Sequence, residues 1–501
     1  MLQSLEKGQK HRIVLKTRGN DPWNVAVLVD GQEIIPEFDK RFSREERWNR
    51  EEHPLDIWDR IHRYAREGKM PDAADTYRMK SFGLFSMGPD RETFMLRVKV
   101  PGNVLSSKQM QGLAQMARDI GGGYADITSR GNLQIRDIKP EHVIQALIAL
   151  NDMGLTSRGA GADSIRNITA TPICGIDRDE IYDVRQLTRD LHHLIVNKRD
   201  LYGLPRKFNI AFDNGGSMSV SVHTNDIGIV PVHIEDDAVL DAGVYFRVLL
   251  GGIPSHGGLG VDTGVLLKED EVIDVIMAMV RAYAIHGNRS DRRHSRLRYL
   301  IEEWGIGRFV EETEHYLGKA IRRSPEHLPS FKPERRRHTH IGVHPQRQSA
   351  LNYVGIVVPV GRLSVPQMEI LAHLAETYGN GEFRLTIWQN LLLTNVPDEN
   401  ITLVKQHLIA VGLHYESSHM SGKIVACTGS SGCRLSNTNT KQHALALGKY
   451  LADKITLQDD ISIYVAGCPN SCVRHHTADI GVVGTLAKGI AGNLVEAYHI
   501  Y

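Results

Sequence analysis

The chain repeats one stretch of its own sequence: residues 100–133 read VPGNVLSSKQMQGLAQMARDIGGGYADITSRGNL, and residues 358–391 read VPVGRLSVPQMEILAHLAETYGNGEFRLTIWQNL. The offset between the two copies is constant and has no gap (358 − 100 = 258). The equivalent positions with identical residues include Val100/Val358, Pro101/Pro359, Leu105/Leu363, Ser106/Ser364, Gln109/Gln367, Met110/Met368, Leu113/Leu371, Ala114/Ala372, Ala117/Ala375, Gly123/Gly381, Thr128/Thr386, Asn132/Asn390 and Leu133/Leu391. A gapless register of this length indicates two related structural units.

Each copy has the pattern of a strand, a helix and a second strand. Phe94–Val100 alternates apolar and basic residues, as a half-buried strand does. Ser106 and Ser107 are suited to cap a helix with one apolar face, and Gly121–Gly123 would end it. The repeat therefore predicts two β-α-β halves that pair around a pseudo-two-fold axis.

Outside the repeat, the chain alternates between strand-like and helical segments. Strands are predicted at 207–212, 219–222 and 245–250, and a helix at 271–285. The Pro-, Arg- and His-rich residues 324–340 are predicted to be a linker. The polar residues 1–78 are predicted to form helices and connectors that wrap the core.

Composition excludes several classes of protein. The 501 residues are enough for about three domains, and the formal net charge of +1 does not indicate a nucleic-acid-binding surface. The sequence contains no run of about 18 apolar residues, so no membrane span is predicted, and the charged N-terminal residues do not resemble a secretory signal. The 24 histidines are scattered without metal-ligand spacing. We therefore expect a cytoplasmic protein.

Four of the five cysteines lie close together near the end of the chain. They occur as Cys427-Thr-Gly-Ser-Ser-Gly-Cys433 and Cys468-Pro-Asn-Ser-Cys472. Four thiolates are the ligand set of an iron–sulfur cluster, and nearby glycines permit close backbone approach. A structural zinc site is the alternative, although the C-x₅-C spacing fits it poorly. Cys174 stands apart and is predicted to be a buried structural residue.

The motif C-x₅-C…C-P-N-x-C resembles the signature of the siroheme-dependent nitrite and sulfite reductases. The resemblance extends from Met79 to Tyr501. It implies an α+β (mixed α/β) fold of three domains, with two pseudo-symmetric ferredoxin-like halves around siroheme. It also implies a [4Fe–4S] cluster bound by the four cysteines, with Cys472 shared between the cluster and the siroheme iron, and a monomeric enzyme.

The same resemblance assigns the basic residues. Siroheme carries several carboxylates and the substrate is an anion, so fixed cations are required. By motif, the resemblance implies that Arg97, Arg166 and Lys207 hold the substrate anion and donate protons. It implies that a second set binds siroheme: Arg130, Asn132, Gln134, Arg206, Arg296 and Cys472.

Asn209 is the residue that favours nitrite within this family. Nitrite reductases resemble this chain in having Asn at the position after Lys207-Phe208, whereas sulfite reductases usually have a second Lys. One cation fewer suits the single negative charge of nitrite. We therefore expect six-electron reduction of nitrite to ammonia. The chain shows no flavin or dinucleotide motif, so the resemblance indicates reduced ferredoxin as the electron donor. The alternatives are sulfite reductase, a precorrin-processing monooxygenase of the same superfamily and a non-catalytic metal-binding scaffold.

The chain departs from the family pattern at four places. Gly131 replaces a glutamine, and Ser430–Gly432 lacks a bulky residue found in relatives. Phe85 and Ser164 stand where some sulfite-reducing relatives have a Tyr–Cys crosslink, so no crosslink is expected. Relatives continue past the position of Tyr501 through a Gly-Gly loop and a helical tail, and the sequence fits a chain that ends at Tyr501 and a C-terminally truncated chain equally well.

The domain boundaries follow from the repeat and the cysteines. We predict an N-terminal wrapping segment at 1–78, a first ferredoxin-like half at 79–158 and a first siroheme-binding α/β domain at 159–330. A linker with the second ferredoxin-like half follows at 331–414, and a second α/β domain with the cluster cysteines at 415–501.

Overall fold

The computed structural model describes residues 13–17, 25–29, 32–34, 42–86, 92–236, 239–325, 340–452, 454, 461–489 and 492–501. The N-terminal segment contains strands β1 (Ile13–Thr17), β2 (Val25–Val29) and β3 (Gln32–Ile34), then helices α1 (Arg44–Glu51), α2 (Trp58–Glu67) and α3 (Ala73–Arg78). The three strands form an antiparallel sheet. The sequence prediction of helices and connectors missed this sheet, whose short β-branched runs are typical of strands.

The first half of the repeat forms one layer of sheet covered by helices. Its elements are β4 (Leu84–Phe85), β5 (Phe94–Arg97), β6 (Val104–Ser106), α4 (Ser107–Asp119), β7 (Tyr124–Ile127), β8 (Leu133–Ile138) and α5 (Val143–Asp152). Ser106 caps α4 through a capping box with Gln109, as the sequence predicted.

An α/β domain follows. Its elements are β9 (Thr169–Ala170), α6 (Arg185–Asn197), β10 (Ile210–Phe212), β11 (Ile227–Ile234), β12 (Gly243–Leu250), β13 (Val261–Leu267), α7 (Val272–His286) and α8 (Leu297–Leu317). The strands form a mixed sheet in the order β13-β12-β11-β10-β9. The predicted strand at 219–222 is wrong. Ser221 has a left-handed backbone (φ 55°), and the Val220 N–H donates to the Asp213 carboxylate, so this stretch is a loop. Residues 326–339 of the predicted linker lie outside the described part of the chain.

The second half repeats the first. It contains β14 (Gly342–Pro345), β15 (Leu351–Ile356), β16 (Arg362–Ser364), α9 (Val365–Tyr378), β17 (Glu382–Leu385), β18 (Leu391–Pro397) and α10 (Ile401–Ala410). Ser364 and Gln367 form the same capping box at the start of α9. The last domain contains β19 (Ile424–Ala426), α11 (Thr440–Ala452), β20 (Ile463–Ala466), β21 (Ile480–Lys488) and β22 (Leu494–Ile500).

The two halves exchange a strand. β6 joins the sheet of the second half, where Ser106 pairs with Glu382. β16 joins the sheet of the first half, where Ser364 pairs with Tyr124. The two pairs are equivalent under the offset of the repeat, so the exchange is reciprocal. Residues of both halves form one apolar core in which α4 packs against α9. The predicted pseudo-two-fold arrangement is confirmed.

No helix in the part of the chain that the structure describes is both long and apolar enough to cross a membrane.

Candidate functional site

The four clustered cysteines follow the ends of two adjacent parallel strands. Cys427 comes directly after β19, and Cys468 follows β20 after one glycine. Because parallel strands end at the same edge of a sheet, the two cysteine loops lie side by side. The Gly467 N–H donates to the Cys427 sulfur at 3.2 Å. A Cβ on Gly467 would lie 1.8 Å from the Ser436 hydroxyl, so the close approach requires glycine.

The four thiols influence one another electrostatically. Burial raises the pKa of Cys427 to about 11, and Cys472 adds to the shift. Burial also raises the pKa of Cys468, to which Cys472 and Cys433 contribute. A bound metal ion would lower these pKa values and hold the sulfurs as thiolates. All four are free of disulfides.

The spacing of the sulfurs bears on which metal centre fits. Tetrahedral zinc with Zn–S bonds of about 2.3 Å would bring all four sulfurs within roughly 4 Å of one another. Among the described residues, no three of these sulfurs lie within 4.8 Å of one another. The C-x₅-C spacing, which fits a structural zinc site poorly, is what favours a polynuclear cluster.

Two of the basic residues predicted from motifs, Arg97 and Lys207, lie close enough to Cys472 to interact with it. Burial lowers the pKa of Arg97 to about 10, and the Cys472 and Cys433 side chains oppose that shift. Burial and the neighbouring Arg296 lower the pKa of Lys207 to about 7, and Cys472 again opposes the shift. Arg97 and Lys207 come from different domains, so the structure brings them together at the last cysteine.

Arg97 and Arg166 converge on one loop. The Arg97 Nη1 donates to the Ala160 carbonyl at 3.3 Å, and the Arg166 Nη1 donates to the same carbonyl at 2.5 Å. The Arg166 Nη2 donates to the Ala162 carbonyl. Arg97 also lies over the Phe85 ring, with 4.4 Å between its guanidinium carbon and the ring centre. The loop and the ring thus fix two guanidinium groups side by side.

Positive charge exceeds negative charge in this region. Burial and the nearby Arg474 lower the pKa of Arg130 to about 9. Burial and Arg97 lower the pKa of Arg166. The Nε atoms of Arg166 and Arg474 are buried and have no hydrogen-bond partner within the described ranges. Crowded guanidinium groups with unpaired donors fit an anionic group that carries several carboxylates, together with a small anion.

The turn between β7 and β8 connects the first half to the last cysteine. The Ser129 hydroxyl donates to the Cys472 carbonyl at 2.7 Å. The next residue, Arg130, donates from Nη1 to the Asn225 side-chain oxygen at 3.0 Å. Asn132 is buried and accepts from the Thr128 hydroxyl, so its described contact closes the turn. Its predicted contact with the cofactor stays a prediction.

Asp226 is a residue that the sequence analysis missed. It is fully buried, and its carboxylate accepts from Arg296 Nε at 3.0 Å and Nη2 at 2.7 Å. The same carboxylate accepts from the Asn209 backbone N–H at 2.8 Å. One side chain therefore positions both a predicted cofactor residue and the residue that favours nitrite. Its signal in the sequence is an acidic residue directly before the apolar strand Ile227–Ile234.

Asp163 plays a similar part for Arg206. Its buried carboxylate accepts from Arg206 Nη1 at 3.4 Å, from both Nη atoms of Arg292 and from the Tyr77 hydroxyl at 2.8 Å. The next residue, Ser164, donates to the Gly159 and Gly161 carbonyls. Asp163 and Arg292 were also missed.

Cys174 lies in a different place. It is buried in the core of the α/β domain, and burial raises its pKa strongly. Its sulfur lies near the Glu180 and Asp183 carboxylates. The Arg185 guanidinium already pairs with Asp183 there, which agrees with a structural role.

Comparison with known proteins places these features in context. The family model described as "Nitrite and sulphite reductase 4Fe-4S domain" matches residues 161–321, and "Nitrite/Sulfite reductase ferredoxin-like half domain" matches residues 88–153 and 344–411. The chain is 33% identical over 472 residues to a "Ferredoxin--nitrite reductase" of Synechococcus elongatus, which covers 92% of this chain and 90% of that protein. It is 31% identical over 488 residues to the "Assimilatory ferredoxin-dependent nitrite reductase" of Haloferax mediterranei, covering 91% and 83%. The solved structure of the Mycobacterium tuberculosis NirA protein superposes with a TM-score of 0.84 at 28% identity, covering 92% of this chain and 87% of that one.

Proposed function

This chain belongs to the nitrite and sulphite reductase family, and from that premise we propose that it reduces nitrite to ammonia with electrons from reduced ferredoxin. Relatives named ferredoxin–nitrite reductase support this activity, since they match over nearly the whole chain. The observation that carries the choice of substrate is Asn209. It is buried beside the cations, and Asp226 fixes its backbone.

The cofactors are siroheme and a [4Fe–4S] cluster. When bound, they supply an iron coordination site and deliver electrons one at a time. In our proposal Cys427, Cys433, Cys468 and Cys472 hold the cluster, and Cys472 is also the siroheme ligand. Five further residues hold the siroheme: Arg130, Asn132, Gln134, Arg206 and Arg296. The two adjacent cysteine loops support the cluster assignment, and the crowding of Arg130 with Arg296, Arg97 and Arg474 supports an anionic cofactor.

Three cations bind and orient the anion. Arg97 and Arg166 share the Ala160 carbonyl, so their remaining N–H groups lie close enough to meet two oxygens of one small anion. Lys207, from the same α/β domain as Arg166, adds a third donor and can pass a proton to a nitrite oxygen as an N–O bond breaks. Because these groups are buried and already fixed, little reorganisation is needed during the reaction, which is how electrostatic preorganisation lowers a barrier.

Asn209 determines how many positive charges meet the substrate anion. A second lysine at this position would add a cation near Lys207, which suits a dianion such as sulfite. An amide provides a donor and an acceptor without charge and suits nitrite. The location in the cytoplasm and the monomeric state stay predictions.

The test compares nitrite and sulfite with the purified holoenzyme and one reduced donor. We expect the visible absorption of an isobacteriochlorin and a kcat/KM for nitrite well above that for sulfite. A higher kcat/KM for sulfite would contradict the choice of substrate. A preparation that incorporates neither iron nor the macrocycle when expressed with siroheme synthesis would contradict the reductase itself.

A further inference from the structure

Arg136 of strand β8 makes contacts with two different parts of the site. Its side chain is buried, and its Nε donates to the Asp126 carboxylate at 3.0 Å. Its Nη2 donates to the Gln134 side-chain oxygen at 2.7 Å and to the Thr428 hydroxyl at 2.8 Å. Its Nη1 donates to the Gly432 carbonyl at 3.4 Å. Four of the five guanidinium hydrogens thus point toward identified acceptors.

Two of these acceptors belong to the first cysteine loop. Thr428 directly follows Cys427, and Gly432 directly precedes Cys433. One guanidinium group therefore holds both ends of the loop that carries two cluster ligands. A Cβ at position 432 would lie 2.7 Å from the Arg136 Nη1, so the contact also requires glycine. The planar fork of arginine suits such a multiple contact, whereas lysine cannot reproduce it.

The charge around Arg136 is positive. The Asp126 carboxylate also accepts from Arg362 at 2.9 Å and from Lys441 at 2.8 Å. Burial alone would raise the pKa of Asp126, but Lys441, Arg362 and Arg136 outweigh it and hold that pKa well below its usual range. The carboxylate is therefore charged at neutral pH. It offsets one of three cations, and the group as a whole places positive charge beside the cysteine loop.

The repeat provides an internal comparison. At the offset of 258 residues, Asp126 corresponds to Arg384 and Arg136 corresponds to Thr394. The Thr394 hydroxyl donates to a backbone carbonyl within its own sheet. The scaffold of a half therefore does not require an Asp–Arg pair at these positions. The pair is present only in the half that contacts the cysteine loop.

We propose that Arg136 is a positioning residue for the [4Fe–4S] cluster, which ties the Cys427–Cys433 loop to Gln134 and raises the reduction potential of the cluster. The inference rests on the proposed function, since it needs the cluster in place. A nearby cation stabilises the form that has gained an electron, so it makes reduction easier. The hydrogen bonds from Arg136 to the cysteine loop also favour a higher reduction potential, because they keep the guanidinium charge close to the cluster.

The experiment is a redox titration of the holoenzyme monitored by electron paramagnetic resonance, with iron and acid-labile sulfide measured on the same samples. Three variants are compared: Arg136→Gln, Arg136→Lys and Arg362→Gln. Arg362→Gln is the matched control, because it removes another cation from Asp126 without a described contact to the cysteine loop. We expect the midpoint potential to become more negative in Arg136→Gln, to recover partly in Arg136→Lys, and to change less in Arg362→Gln.

A fourth variant covers the case in which Arg136→Gln fails to assemble. Thr428→Val removes one acceptor, keeps the arginine and preserves side-chain volume, and we expect a smaller shift toward negative potential. Loss of cluster iron from Arg136→Gln but not from Arg362→Gln also supports the positioning role. Unchanged potential and iron content in Arg136→Gln and Thr428→Val, or an equal shift in Arg362→Gln, overturns it. The titration uses no substrate, so it tests the role of Arg136 independently of the nitrite assay.

Discussion

Replacing Asp226 with asparagine tests how the site is held together. The change keeps the shape of the side chain and removes its charge. Arg296 would then lose the carboxylate that accepts from its Nε and Nη2, and the new amide hydrogens would face a guanidinium. The Asn209 N–H would also lose a charged acceptor. The perturbation therefore acts on a cofactor residue and on the residue that favours nitrite.

The size of the expected effect follows from the burial of the Asp226–Arg296 ion pair. Asp226 is 0% exposed and Arg296 is 8% exposed, so solvent cannot replace the lost partner. Breaking a buried ion pair by removing one charge costs about 3–5 kcal/mol of stability. Misplacing groups near the reacting atoms can lower the rate on the order of 100-fold. We expect both effects in Asp226→Asn.

The assay pairs urea unfolding with nitrite kinetics and includes a matched control. Asp262 accepts from Arg247 at 2.9 Å in another buried pair, in the outer strands β12 and β13 of the same sheet. Asp262→Asn should lose a similar amount of stability but keep its kcat/KM for nitrite. If Asp226→Asn lost stability without losing more activity than Asp262→Asn, Asp226 would have a structural role only and the reasoning would be refuted.

Three further changes probe other parts of the site. Asn209→Lys should shift preference toward sulfite by roughly tenfold or more, because one added charge acting over about 10 Å at an effective dielectric constant of about 20 is worth about 1–2 kcal/mol. Side-by-side kinetics with nitrite and sulfite check this, and an unchanged ratio would contradict the role of Asn209. Burial and Arg166 lower the pKa of Lys99 from 10.5 to about 7. Between these two values the unfolded chain binds the proton more tightly, so the free energy of unfolding falls as the pH drops from 10.5 to 7. Lys99→Met should therefore be more stable than the parent at pH 7, by up to about 5 kcal/mol before the lost hydrogen bond is counted, and this gain should shrink toward pH 10. Urea unfolding at several pH values measures the gain. A gain that grows with pH would contradict the lowered pKa of Lys99. Cys472→Ser should abolish nitrite reduction and alter the visible spectrum, whereas Cys174→Ala should keep iron and sulfide; equal iron loss in both variants would contradict the assignment.

Much of the fold could be predicted from the sequence because the repeat relates segments that lie 258 residues apart. The constant offset between Ser106 and Ser364 predicted two equivalent halves, and the capping boxes at both positions confirm it. The cysteines were likewise predicted to form one ligand set, and their two loops do lie side by side after the parallel strands β19 and β20. The strand exchange between the halves was not predicted, since periodicity identifies a strand but not its partner.

The supporting residues of the site were harder to find. Asp226 and Arg136 bind other protein groups rather than ligands, and such partners become visible only when distant parts of the chain meet. The Thr428 hydroxyl that Arg136 contacts lies in another domain. The predicted strand at 219–222 failed for a related reason, because the Asp213 carboxylate satisfies the backbone there and replaces a neighbouring strand.

The exchanged strands also determine the order in which the molecule can be completed during synthesis. Strand β7 leaves the ribosome before its edge partner β16, and roughly half of the chain separates Tyr124 from Ser364. At about 5–20 residues per second, the first sheet has an open edge for on the order of ten seconds or longer. An unpaired sheet edge is a site for aggregation, so the nascent first half is exposed to that risk during this interval. Neither half is a finished unit until the other has been made, and the site between them forms last.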